Sequence, residues 1–178
     1  MKTFALSAAA TLTLVASSFA GQQISSGKDY KQPASPETPC FQDQEFQLDL
    51  FASYTDTVSN GKYGDGFGGG VGFNYFFSRY VGFGVDGNVF DAGVNGLWSA
   101  SGRVILRLPI DSICIAPYIF GGGGVQANGE TVGSWHAGGG LEWRATQTIG
   151  LFAEGRYTWT ADSAEDNGQA RLGVRFVF

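Results

Sequence analysis

The sequence predicts an all-β protein, a closed eight-stranded antiparallel barrel that crosses a membrane with its strands. Three observations carry this. From residue 45 to the C-terminus, segments of about ten residues alternate apolar and polar side chains, the period of a strand with one dry and one wet face. Outside the N-terminus there is no run of about eighteen apolar residues to make a transmembrane helix. Glycine is abundant (28 residues) and aromatics reach 15%, a pairing unusual in soluble domains, while 43% hydrophobic residues are too many for a disordered chain.

The N-terminus reads as a secretory signal peptide over residues 1–20. Lys2 supplies the positive start, Phe4 to Ala16 is apolar and small, and Ser18-Phe19-Ala20 offers a cleavage site after Ala20. Cys40 lies too far downstream to be a lipoprotein cysteine. Loss of Lys2 takes the formal charge from −5 to about −6, which argues against nucleic acid as a partner. Residues 21–44 then form a polar tail on the periplasmic side. Pro33, Pro36 and Pro39 give it extended character, and no apolar period runs through it.

The barrel occupies residues 45–178. Its strands are expected at about 45–56, 66–77, 80–90, 97–108, 114–126, 134–145, 148–160 and 168–178, each near the length a tilted strand needs to cross the hydrocarbon. Connectors at Ser78-Arg79, 109–113 and Thr146-Gln147 read as short. Those at 57–65, 91–96, 127–133 and 161–167 read as mostly longer and polar. Short periplasmic turns opposite longer outer loops is the outer-membrane pattern. The last strand alternates Ala170, Leu172, Val174, Phe176 and Phe178 with Gln169, Arg171, Gly173, Arg175 and Val177. Phe176 and Phe178 thereby resemble the C-terminal signal read by the outer-membrane assembly machinery.

Aromatic residues are expected in two belts at the headgroup levels. Trp135 and Trp143 share parity at the two ends of strand six, roughly 20 Å apart along the membrane normal. Trp98 and Trp159 fall at outer ends. Phe46, Tyr75, Tyr80, Tyr118, Phe176 and Phe178 fall near periplasmic ends. The apolar parity should face outer-membrane lipid: Phe46, Leu48, Leu50, Val71, Phe73, Val104, Leu106, Leu141, Leu151, Leu172, Val174 and Phe176.

The opposite parity is ionic. It carries Asp49, Asp86, Arg103, Arg107, Glu142, Arg144, Glu154, Arg156, Arg171 and Arg175, with Gln47, Phe51, Ser53, Asn88, Ser99, Ser101, Thr158 and Gln169. Lysine occurs only at Lys2, Lys28, Lys31 and Lys62, outside every strand. Arginine offers a planar fork of donors that satisfies carboxylates at close quarters. Eight strands enclose a space just wide enough for side chains to fill, and unpaired charge there is costly. These residues should therefore form a lumen network that plugs the barrel, with Asp49 near Arg175 and Glu154 near Arg171 or Arg175. The alternative is a narrow pore for ions or small solutes.

The two cysteines, Cys40 and Cys114, both fall at the periplasmic rim. Export places them where disulfides persist. Phe41–Gln44 can span roughly 13–18 Å, enough to cross the mouth between strands one and five. A bridge would pin the tail beneath the barrel and, in the chain-entropy picture, stabilise it by about 4 kcal/mol.

The region 45–178 looks like the outer-membrane barrels of the OmpA and OmpX type. Ala116-Pro117-Tyr118, the glycine-rich strands and the closing Gly173-Val174-Arg175-Phe176-Val177-Phe178 carry the likeness. It implies a Gram-negative outer membrane, no cofactor and no metal. No peptidoglycan-binding domain follows the barrel, so wall anchoring is not implied.

Several signals point elsewhere and lack their context. Gly64-x-Gly66-x-x-Gly69 and Gly82-x-Gly84-x-x-Gly87 match a dinucleotide fingerprint as strings but open no helix. His136 raises the lipid A deacylase barrels, whose histidine and serine stand two apart. Here Gly138 takes the serine position, and Ser134 precedes instead, so no catalytic set is assigned. Asp162, Glu165, Asp166 and Asn167 could offer hard oxygen ligands, but without EF-hand spacing they read as a solvated loop. A soluble lipocalin-like barrel would need inward tryptophans and a polar exterior. The sequence reading is thus a non-enzymatic barrel for envelope integrity or surface interaction through its loops, with the loop partner open.

Overall fold

Antiparallel ladders join every consecutive pair of strands, and a last ladder joins the eighth to the first. The computed structural model describes residues 39–57, 65–91, 96–127, 131–161 and 166–178, all within the unit Glu37–Phe178. The leader 1–20 and the tail to residue 38 lie outside the described residues, as do Asp162 and Glu165. The strands are β1 (Glu45–Thr57), β2 (Gly66–Phe76), β3 (Val81–Asp91), β4 (Gly96–Arg107), β5 (Ile115–Ala127), β6 (Thr131–Arg144), β7 (Ile149–Thr160) and β8 (Asn167–Val177). No helix of the described residues is long and apolar enough to cross a membrane.

Most boundaries fall within a residue of the sequence reading, and β6 differs. It begins at Thr131 because the β5–β6 ladder continues through Val125↔Gly133, Gln126↔Val132 and Ala127↔Thr131. Gly133 carries no face preference, so the alternation there gave no signal of a strand. The connector expected at 127–133 shrinks to 128–130, while the turn after β4 spans 108–114. That turn folds on itself, with Ile110 bridged to Ile115 and the Ile113 amide donating to the Ile110 carbonyl at 3.3 Å. Short and long connectors therefore do not segregate cleanly between the two ends.

Register fixes the shape of the barrel. Pairs run from Glu45 to Phe76, Gly82, Ile105, Phe120, Gly138, Arg156 and Gln169, and return to β1 at Thr55. The circuit closes about ten residues above its start, a stagger that tilts the strands by roughly 40°. At that tilt the shortest strands, 11 residues, rise roughly 28 Å, enough for an apolar band of about 25 Å.

The interior is too narrow for a side chain at every inward position. Phe51 lies over its β2 partner Gly70, Phe120 over Gly138, Tyr118 over Gly140 and Phe152 over Gly173. A β-carbon on Gly138 would meet the Gly155 carbonyl oxygen and sit 2.6 Å from Phe120 Cζ, and one on Gly173 would meet the Leu50 carbonyl oxygen and sit 2.7 Å from Phe152 Cε1. Glycine here makes room for a neighbour's ring.

Outward positions are apolar and exposed. Phe46, Leu50, Val71, Phe73, Val104, Leu106, Leu141, Leu151 and Leu172 all lie on the outside, Leu172 with 67% of its surface open; Leu48, Val174 and Phe176 are half-covered on the same face. The four tryptophans face outward, Trp135 directly opposite Trp159. Tyr118 departs from the expected belt. Its parity on β5 is that of Ala116 and Phe120, so it points inward and is 5% exposed. An apolar exterior around a polar interior inverts the soluble arrangement and demands a hydrocarbon solvent.

Candidate functional site

Alternation along β1 places Glu45, Gln47 and Asp49 inside, and the same parity rule on the other strands brings in six of the chain's seven arginines. Arg103, Arg107, Arg144, Arg156, Arg171 and Arg175 are all buried, as are Glu45, Asp49, Asp86, Glu142 and Glu154. Ten of these were legible from parity. Glu45 was not singled out, although it shares the parity of Gln47 and Asp49.

The groups form a connected network rather than isolated pairs. Arg175 forks onto Asp49, Nε to Oδ1 at 2.6 Å and Nη2 to Oδ2 at 2.7 Å, and its Nη1 donates to Glu142 at 2.5 Å. Arg103 reaches Asp49 at 3.5 Å and both oxygens of Glu154 at 3.0 and 3.1 Å. Glu154 also accepts from Arg171 at 3.2 Å and from the Tyr118 hydroxyl at 2.9 Å. Asp86 accepts from Arg156 and Ser101 at 3.2 and 2.9 Å and is ion-paired with Arg171 at 3.2 Å. Nearer the end that holds both strand termini, Glu45 pairs with Arg107 at 2.8 Å and with Arg144, which also pairs with Glu142. Asp49 is thus close to Arg175, and Glu154 lies beside Arg171 rather than Arg175.

Paired charges repay the cost of leaving water only when geometry is good and the remaining lone pairs are used. Here aromatic rings add a second support. Arg107 lies 3.7 Å from the Phe76 centroid, Arg171 4.6 Å from Phe51, Arg175 4.8 Å from Phe152 and Arg103 5.0 Å from Phe120. Guanidinium faces stack on π-systems while their edges hold carboxylates. Of these rings the sequence reading places only Phe51 on the inward face. The signal was present, since Phe76, Phe120 and Phe152 share parity with the arginines.

At the termini end Cys40 and Cys114 form a disulfide, with Cα atoms 5.5 Å apart. Arg79, the arginine outside the barrel wall, pairs with Asp111 and so ties the β2–β3 turn to the β4–β5 turn. Phe178 lies just beyond β8. Its amide donates to the Phe46 carbonyl at 2.9 Å, and the Phe46 amide donates back at 3.2 Å. At the other end Asp166 accepts from the Thr160 amide at 2.8 Å, spending the carboxylate on the strand end. Ser134 and His136 both face the interior.

Fold and site together define a closed eight-stranded transmembrane β-barrel with an apolar exterior and a charged interior. No protein-family model matches the chain, and no curated protein sequence does. Solved structures do. The N-terminal β-barrel domain of Pseudomonas aeruginosa OprF is similar with a TM-score of 0.63 at 16% identity, over 77% of this chain and 99% of that one. Neisserial surface protein A is similar at 0.58 and 16%, over 74% and 95%. Ail, the attachment invasion locus protein of Yersinia pestis, is similar at 0.52 and 17%, over 76% and 99%. At these identities the likeness is one of fold.

Proposed function

We propose that this chain is a non-enzymatic barrel of a Gram-negative outer membrane that serves envelope integrity or surface contact, its lumen plugged rather than conducting. The observation that carries this reading is the interior network. Five carboxylates and six guanidiniums bridge β1, β3, β4, β6, β7 and β8 at successive heights. Moving an ion through would break several buried pairs at once. The exterior is suited to outer-membrane lipid, and the 1–20 leader with the 21–44 tail accounts for export and a periplasmic N-terminus. With the termini in the periplasm, the opposite loops face outward. Phe176 and Phe178, at the end of β8, would be what the assembly machinery reads.

Surface contact through those loops would favour a cationic partner. Asp56, Asp65, Asp91, Glu130, Asp162, Glu165 and Asp166 lie at or between those strand ends, against the single base Lys62. A structure of Ail holds a heparin analogue, sucrose octasulfate; the acidic end of this chain would repel such a polyanion. Catalysis is disfavoured because Ser134 and His136 point into the filled interior, away from any lipid substrate.

Planar-bilayer recording of the purified chain tests the reading. The expected result is no steady conductance above background. Well-resolved, reproducible single-channel steps would favour the narrow pore instead.

A further inference from the structure

The segment just ahead of β1 is built into the mouth of the barrel in a way the network does not explain. Phe41 belongs to no strand, yet it is fully buried, 0% exposed. Its ring sits between two guanidiniums, 5.1 Å from Arg107 and 4.8 Å from Arg144, the pair that clamps Glu45. Arg107 Nη2 also donates to the Gln42 carbonyl at 3.2 Å, and the Gln42 amide donates to Glu45 at 3.3 Å. Asp43 accepts from the Arg79 amide at 2.5 Å. Residues 40–44 thus cross the opening from β1 to the turn before β5, on the far side of the barrel.

Both ends of this crossing are conformationally costly. Gln44 has φ 56° and Cys114 has φ 52°, the two non-glycine residues with positive φ among the described residues. Side chains disfavour that region, and it persists only where surroundings impose it. Here the Cys40–Cys114 bond ties the two ends together. A cavity of about 210 Å³ lies beside the segment, lined by Gln42, Gln147, Thr148 and Phe178, so there is room for it to swing aside.

We propose that Cys40–Gln44 is a stopper for the periplasmic mouth, with Phe41 as its plug, held shut by a reducible bond and released when that bond is cut. The inference takes the termini end as periplasmic and so rests on the orientation given above. Both sulfurs belong to partly exposed residues at the rim, within reach of a dithiol oxidoreductase. A donor thiolate attacks one sulfur of the bridge, forming a mixed disulfide and expelling the other as a thiolate that takes up a proton. The donor's second thiolate then displaces the remaining cysteine. The donor leaves as a disulfide, oxidised by two electrons, and Cys40 and Cys114 are left as thiols. Without the tether, the few polar contacts and one ring must hold the segment against its own chain entropy and two unfavourable backbone positions. Release bares Arg107, Arg144 and Glu45 to the periplasm and leaves the deeper Asp49–Arg175 layer intact.

The test is backbone hydrogen exchange of the folded full chain in detergent micelles, before and after dithiothreitol. We expect at least tenfold faster exchange at Phe41–Gln44 on reduction, with the amides of β2 to β7 unchanged. A Cys40→Ser/Cys114→Ser double variant, which needs no reductant, should match the reduced protein. Unchanged exchange at Phe41–Gln44 would overturn the proposal, because noncovalent contacts would then suffice. Loss of protection throughout the strands would also overturn it, because the bond would then be a staple for the whole barrel. Neither outcome depends on whether the barrel conducts.

Discussion

Asp49 on β1 and Arg175 on β8 are register partners at the seam where the barrel closes, and the guanidinium of Arg175 forks onto both carboxylate oxygens. The seam joins the first strand to the last, the pairing with the largest separation in sequence and the greatest chain-entropy cost. A bidentate ion pair placed there, extended by Glu142 and Arg103, adds an interaction that only the closed barrel can make.

Asp49→Ala should therefore be among the most damaging single changes. It leaves Arg175 and Arg103 in the interior with reduced compensation, at a cost of about 3 kcal/mol or more. Urea unfolding of the reconstituted protein measures this. An Asp49→Leu/Arg175→Met double variant should recover much of the loss, since it removes both charges. A single variant as stable as the parent would remove the seam pair from the account of stability.

Two glycines give a matched comparison of inside and outside. Gly173→Ala drives a methyl group into the Leu50 carbonyl oxygen and to 2.7 Å from the Phe152 ring, and should destabilise by about 1–3 kcal/mol. Gly155→Ala meets nothing within 4 Å and should change stability by no more than about 0.5 kcal/mol. The same unfolding assay reads both, and equal effects would mean that the close approach of Leu50 and Phe152 at Gly173 is not limiting.

Leu172 faces outward near the middle of β8, between Ala52 and Ala153. In lipid, Leu172→Arg should cost about 2–4 kcal/mol. Folding into phospholipid vesicles provides the measurement. A neutral effect would speak for a water-facing wall.

Removing Phe178 deletes the reciprocal backbone pair with Phe46 and a ring contact at 6.4 Å. In vitro stability should fall by about 1 kcal/mol. On the proposed reading of Phe178 as an assembly signal, the amount reaching the outer membrane in cells should fall far more. Quantifying the protein in outer-membrane fractions separates the two effects, and a normal cellular level would end the assembly role.

Parity is local, and that is why so much was legible in the sequence. Successive side chains on a strand point to opposite faces whatever the rest of the chain does. Strand number, the lipid face, and inward residues such as Asp86 and Arg156 follow from that period alone. Partners do not. Arg103 meets Glu154, 51 residues away, because the ten-residue stagger of the closed circuit sets which inward positions share a height. No single strand contains that stagger; it exists only once all eight pair. The inward face of the aromatics was marked by parity as well, although Tyr118 read as a belt residue from its place in the chain; that its hydroxyl would meet Glu154 was decided only by closure. Phe41 lies outside any periodic segment, so nothing local marked it. Its burial between Arg107 and Arg144 came from the closed mouth, which brings the chain ahead of β1 beneath strands far from it in sequence.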